Sequence, residues 1–234
     1  MRHAAGIAVP SRRTPGSRAL GLLAPPLCVL CRRPLARPAL GVGLCDGCRG
    51  RIDRSPGFAL EGEGIDTGFA ALAYSDVGRR LVAALKFSRL VSVAGLGAAL
   101  IGSRAPPGVV RGAIVPVPAA PLRLAARGFD PARELARALA GATGLGMSPV
   151  LRRRDLRHQR GRSRAGRLDH PPSIAAVDDA PEVAVLVDDV TTTGATLSAC
   201  AAELRAAGSR RVHAVTLAAV RREGARLSTG SRRA

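Results

Sequence analysis

The chain has 234 residues, enough for one core-bearing domain of ordinary size and a small module beside it. Thirty-six basic residues, 35 of them arginine, stand against 17 acidic ones, a formal charge of +19 that favours polyanionic partners such as nucleic acid. No run of about 18 apolar residues occurs, so no membrane span is predicted, and with no Trp, one Tyr and four Phe, aromatic platforms for bases are few.

Residues 1–24 read as a disordered basic tail, or as the product of a start codon placed too early. Ser11-Arg12-Arg13 has a loose likeness to a twin-arginine signal, but Pro15 and Gly16 follow at once and Pro25-Pro26 breaks the short apolar run. A cytoplasmic setting is expected, where paired cysteines mean metal rather than disulfide. Cys28-Val-Leu-Cys31 and Cys45-Asp-Gly-Cys48 are two C-x-x-C pairs thirteen residues apart, with Pro34, Pro38, Gly41 and Gly43 for tight turns. That spacing predicts a structural zinc ribbon or knuckle over 25–60, with Cys28, Cys31, Cys45 and Cys48 as ligands. A redox pair is the alternative. So small a module has almost no core of its own, and the ion would supply most of its folding energy.

Residues 50–64 read as a linker into a main domain over 61–222. Phe69 to Tyr74 is a candidate strand, and Val77 to Phe87 an amphipathic helix. Lys86, the only lysine, is either a surface cation or a pyrophosphate contact that needs a compact ammonium. Ile114 to Pro118 is a buried strand stopped by prolines. Leu122 to Asp130 is a basic turn in which Arg127 and Gly128 offer a second anion site or a merely solvated arginine. A helix follows from Pro131 to about Ala140, with Asp130 as N-cap.

Residues 150–170 carry eight arginines and are too polar for a packed element; they form a mobile loop over a phosphorylated ligand or a disordered basic insert. Val183 to Val187 is a strand buried on both faces, running out at Asp188 and Asp189. A hydroxyl- and glycine-rich turn, Thr191 to Thr196, then feeds a helix over Leu197 to Ala207, with Gly208 just past its end. Cys200 falls on that helix's apolar face and reads as core. Arg211 to Val220 is a last strand, and 223–234 a disordered tail.

The chemistry concentrates where the Val183 strand meets its helix. Free N–H groups at a helix start attract phosphate. Gly194 clears the Cβ that would hold the backbone away, and Thr192, Thr193 and Thr196 offer hydroxyls. Asp188 and Asp189 repel phosphate and suit vicinal hydroxyls or a divalent cation. Phosphate beside a diol means a sugar phosphate. No G-x-x-x-x-G-K-[ST] occurs, which disfavours a nucleoside-triphosphate loop.

Val185-Leu-Val-Asp-Asp-Val-x-Thr-Thr-Gly-Ala-Thr196 resembles the phosphoribosyl-pyrophosphate (PRPP) motif of type I phosphoribosyltransferases. The resemblance implies an α/β fold: a Rossmann-like, mostly parallel sheet flanked by helices, preceded by the four-cysteine zinc module. It also implies that Asp188 and Asp189 hold the ribose hydroxyls while the threonine loop wraps the 5-phosphate. The PRPP-binding candidates are Asp188, Asp189, Thr191, Thr192, Thr193, Gly194, Ala195 and Thr196 with Arg127 and Lys86; the two carboxylates and Lys86 are the catalytic candidates.

The order of motifs is similar to the ComF family (ComFC) of competence-associated phosphoribosyltransferase-like proteins: the zinc module, Tyr74 with Leu85-Lys86-Phe87, Val115-Pro-Val-Pro118, Arg127-Gly128-Phe129, Arg154 with Gln159 and Arg167, then the Asp-Asp loop. Asp130-Pro131, Leu156 and Asp169 depart from the family's usual Asn-Gln, Thr and Asn. The likeness implies PRPP binding with Mg²⁺, handling of single-stranded DNA in natural transformation or repair, and partners in the competence helicase and uptake machinery. Arg152, Arg153, Arg154, Arg157, Arg160, Arg162, Arg164 and Arg167 are the nucleic-acid candidates. Two alternatives stand beside it, a nucleobase salvage phosphoribosyltransferase and a PRPP-sensing nucleic-acid-binding regulator. The C-terminal stretch Arg221 to Ala234 lacks the aromatic residue on which a salvage enzyme commonly stacks its base.

Overall fold

A computed structural model describes residues 27–35, 43–87, 91–153 and 173–221. Its centre is a five-stranded sheet. In chain order the strands are β1 (Phe58–Leu60), β2 (Thr67–Ala73), β3 (Ala113–Pro116), β6 (Val183–Thr191) and β7 (Arg211–Ala219), in spatial order β1-β2-β7-β6-β3. All neighbours run parallel except β1, which pairs antiparallel with β2 on the edge. β4 (Leu151–Arg153) and β5 (Ile174–Ala176) form a separate antiparallel ribbon.

The apolar run that begins β6 is buried on both sides because helices cover both sheet faces. Alternation sends Val185 and Val187 to one layer and Ala184 and Leu186 to the other. The first layer packs α2 (Asp76–Phe87), α3 (Val91–Arg104) and α5 (Pro131–Thr143) through Leu81, Ile101, Leu135 and Leu139. The second packs α6 (Ala195–Ala206) through Leu197, Cys200 and Leu204, with the β4–β5 ribbon beside it. Cys200 is fully buried, as its helix position predicts, and burial pushes its thiol pKa up. α5 begins as predicted: the Asp130 carboxylate accepts N–H bonds from Ala132 at 3.0 Å and Arg133 at 3.3 Å, with Pro131 at the first position. The mixed α/β class and the parallel sheet follow the expectation.

Four sequence expectations need correction. Residues 50–64 are not a linker: α1 (Asp46–Asp53) runs into them, and β1 extends the main sheet. The Leu122–Asp130 turn is largely a short helix, α4 (Pro121–Arg127), closed by Gly128 at φ 72°. Leu151 and Arg153 are not in an unpacked loop, since the ribbon pairs them with Ala176 and Ile174; residues 154–170 lie outside the described residues. β6 also does not run out at the carboxylates but carries Asp188 and Asp189 inside it to Thr191.

Helix α3 has no counterpart in the sequence reading. Its residues are apolar or small nearly all round, so no amphipathic period marks it; a helix wedged between neighbours needs none. Gly97 sets the closeness of its packing, because a Cβ there would stand 2.8 Å from Leu135 Cδ1.

The cysteine module is not a bead on a string. Cys28, Leu30, Leu35, Leu44, Cys48 and Ile52 join the same apolar cluster as Val77, Leu81 and Ile101. At the seam Arg104 donates to Ser55 O at 2.6 Å, Ile52 O at 2.9 Å and Ala71 O at 3.0 Å. One guanidinium thus ties the end of α1 to β2. Arg104→Ala should lower stability by about 3 kcal/mol, because three carbonyls lose a charged donor. Arg104→Lys should restore only part of that, an ammonium being unable to span the fork. Urea denaturation reads both, and equal stability of wild type and Arg104→Ala would reject the seam.

Candidate functional site

Where β6 gives way to α6 the chain turns through Thr192 and Thr193 to Gly194, which caps the helix at φ 79°. That left-handed backbone is costly for a residue with a Cβ and ordinary for glycine. No side chain caps the helix at Gly194, and the nearest help is the Thr193 hydroxyl, 3.4 Å from the Ala195 N–H. Thr192, Thr193 and Ala195 are exposed, Thr196 partly so, and Thr191 is buried at the strand end. The loop is therefore a set of donors facing a space.

That space is a cavity of about 690 Å³ at the carboxyl ends of β3 and β6, where α/β sheets bind their ligands. Asp188, Asp189 and the whole stretch to Thr196 line it, with Lys86 from the end of α2. The opposite wall is Val117 to Ala120, Arg123 and Arg127 of α4, Asp130 to Ala132, and Arg153. Lys86 and Arg127, singled out from sequence, do reach it. Arg152 does not line it; alternation along β4 leaves Arg152 exposed and Arg153 inside. Arg154, Arg157, Arg160, Arg162, Arg164 and Arg167 lie outside the described residues.

Being consecutive on a strand, the two carboxylates leave it on opposite faces yet reach the same cavity. Asp188 pairs in register with Thr216 of β7, on the α6 side. Its carboxyl accepts the Asp189 N–H at 2.8 Å. Burial first, and then the Asp189 charge, push the Asp188 pKa well above the ordinary carboxylate range; the Asp189 N–H and Lys86 oppose them. Asp189 is buried on the α2 side, its Oδ2 3.1 Å from Lys86 Nζ. Beyond that ion pair Oδ2 accepts no hydrogen bond, so it keeps an unfilled acceptor. A buried acceptor of this kind costs free energy until a hydroxyl or a metal-bound water fills it.

Two site residues escape the sequence reading. Arg123 lies one helical turn before Arg127, a spacing that puts both on one face, but only once 121–127 is known to be helical. Asp130 reads from sequence as a cap alone. Its Oδ2 also accepts the Ala119 N–H at 3.3 Å, so the same carboxylate fastens the loop after β3 to the start of α5. Burial raises its pKa, three backbone N–H groups oppose this, and the Asp189 charge adds to the rise. The cavity thus sets three carboxylates against one lysine and three arginines.

In the cysteine module the sulfurs of Cys28, Cys31, Cys45 and Cys48 all lie within 4.8 Å of one another and none is in a disulfide. Tetrahedral zinc–thiolate bonds of about 2.3 Å require sulfurs about 3.8 Å apart, and Cys31 Sγ to Cys45 Sγ is 3.6 Å. The four residues could hold one zinc ion. The Cys45 N–H points at Cys28 Sγ from 3.4 Å. Burial raises the Cys28 pKa, but N–H groups of Cys45, Cys31 and Leu30 outweigh it and bring the thiol down to about 6. Burial and the neighbouring thiols push Cys48 up to about 12. Four thiols crowded this closely cannot all ionise without a cation among them.

The fold and site thus define a mixed α/β domain whose mostly parallel sheet carries paired carboxylates near the end of β6, followed by a Thr-rich, glycine-capped turn. Residues 124–231 match the family model described as phosphoribosyl transferase domain. No curated protein matches the chain. Among solved structures, one titled as the allosteric regulatory enzyme of purine biosynthesis aligns at 24% identity and a TM-score of 0.36, over 53% of this chain and 25% of its own. The chain therefore spans about a quarter of the length of that relative. Among the described residues no helix is long and apolar enough to cross a membrane.

Proposed function

We propose that the cavity binds PRPP with Mg²⁺, and that the chain is a ComF-like protein that brings this site to single-stranded DNA in a cytoplasmic setting. One observation carries the reading: a buried carboxylate oxygen with an unfilled acceptor, Asp189 Oδ2, lies in the same cavity as an uncapped helix start lined by Thr192, Thr193 and Thr196. In this reading the helix start holds the 5-phosphate, and Asp188 and Asp189 take the ribose hydroxyls, directly or through magnesium-bound water. Lys86, Arg127 and Arg123 face the pyrophosphate. Magnesium supplies charge neutralisation at the pyrophosphate. In a transferase reaction an acceptor nucleophile would bond to C1 as the C1–O bond to the departing pyrophosphate breaks, through an oxocarbenium-like state that the carboxylates would stabilise. The motif order, the cysteine module and the +19 charge support the nucleic-acid part, with roles in DNA uptake or repair and contact with competence machinery.

Two titrations test it. Calorimetry with PRPP and magnesium should give one saturable site per chain, and no heat of binding would reject the sugar-phosphate reading. Binding of a single-stranded oligonucleotide should weaken steeply with salt. If Arg123, Arg152 and Arg153 each meet a phosphate, the log–log slope is about −2, from about −0.7 per contact. Affinity flat with salt would remove DNA from the account.

A further inference from the structure

Phe87 ends α2 with 75% of its surface exposed, in a chain that has only four phenylalanines, one tyrosine and no tryptophan. Its neighbour Lys86 turns into the cavity towards Asp189. The Phe87 ring therefore stands at the rim, joined to the cavity by Arg127, whose Cζ is 5.7 Å from the ring centroid. That distance is within cation–π range. The result is a planar guanidinium against a planar ring, with much of the ring open to a third flat group.

We propose that Phe87 and Arg127 form a stacking subsite for a nucleobase carried on a single-stranded polynucleotide. The inference rests on the reading of the cavity as a sugar-phosphate site, and it names the group that lies next to that site. A bare ring and a guanidinium plane offer π surface without a hydrogen-bonding code, so the subsite accepts any base. Two features favour a base on a strand over a free one. The ring is on an open rim rather than in an enclosed slot, and Arg123 and Arg153 stand in the adjoining cavity as cations for neighbouring phosphates.

The absence of tryptophan provides the probe: Phe87→Trp makes a chain with a single indole. Its fluorescence should be quenched by a single-stranded oligonucleotide and not by an abasic chain of equal length and charge. The oligonucleotide should saturate at lower concentration than free adenine; the reverse order would overturn the strand-borne source. Phe87→Ala, at an exposed position that the fold does not need, should weaken oligonucleotide binding about five- to 150-fold. The salt slope should stay unchanged, since no phosphate contact is lost. Equal quenching by the abasic chain, or unchanged affinity of Phe87→Ala, would overturn the subsite. The calorimetric titration of the wild-type chain with PRPP decides the parent reading separately, because its heat does not depend on the indole.

Discussion

Replacing Asp188 and Asp189 together by asparagine should abolish PRPP binding while leaving the sheet intact. Each carboxylate accepts hydroxyl or metal-bound water bonds as a charged partner, worth about 1.5–3 kcal/mol. Losing both should weaken affinity by at least about 150-fold. Calorimetric titration of the double variant reads this, and wild-type affinity would sink the assignment. The single variant Asp188→Asn separates binding from folding. The Asp188 pKa is raised in the folded chain, so the folded state holds that proton more tightly than the unfolded one. Stability is then lost as pH rises from the unfolded value through the raised folded value, and the penalty is complete above it. Asparagine removes the penalty, so Asp188→Asn should melt higher than wild type at neutral pH, with the gain vanishing in acid. A variant that melts lower at neutral pH would show that its carboxylate does structural work not visible in its contacts.

The second large effect concerns zinc. Cys28→Ser with Cys45→Ser should remove roughly one equivalent of metal per chain. The loss should reach beyond the module, because Cys28 and Cys48 pack in the same cluster as Val77, Leu81 and Ile101. Zinc binding to a four-thiolate site contributes on the order of 10 kcal/mol to folding, comparable to the whole stability of an ordinary domain. Thermal melting of the chelated or mutated chain should therefore show the main transition falling in temperature. Unchanged metal content would reject the site. A main transition at the wild-type temperature would instead reject the shared core and leave the module independent.

The sequence by itself determined the parts whose chemistry is local. Two C-x-x-C pairs specify a four-sulfur cluster whatever surrounds them, and the structure brings those sulfurs together. The apolar run before Asp188, the glycine that must be left-handed, and the Asp130-Pro131 helix start are each written within a few residues, because backbone sterics and capping act over that range. Tertiary structure alone decided what depends on partners distant in the chain. Helix α3 gave no periodic signal because its burial on several sides erases the contrast from which periodicity is read. β6 continues through its carboxylates because β7 supplies a ladder as far as Thr191, paired with Ala219. The pairing of Lys86 with Asp189, the turning of Arg153 rather than Arg152 into the cavity, and the seating of the cysteine module on the sheet domain arise from chain segments tens to a hundred residues apart. No spacing rule reaches that far; only the packing of α1, α2 and the sheet into one core fixes those distances.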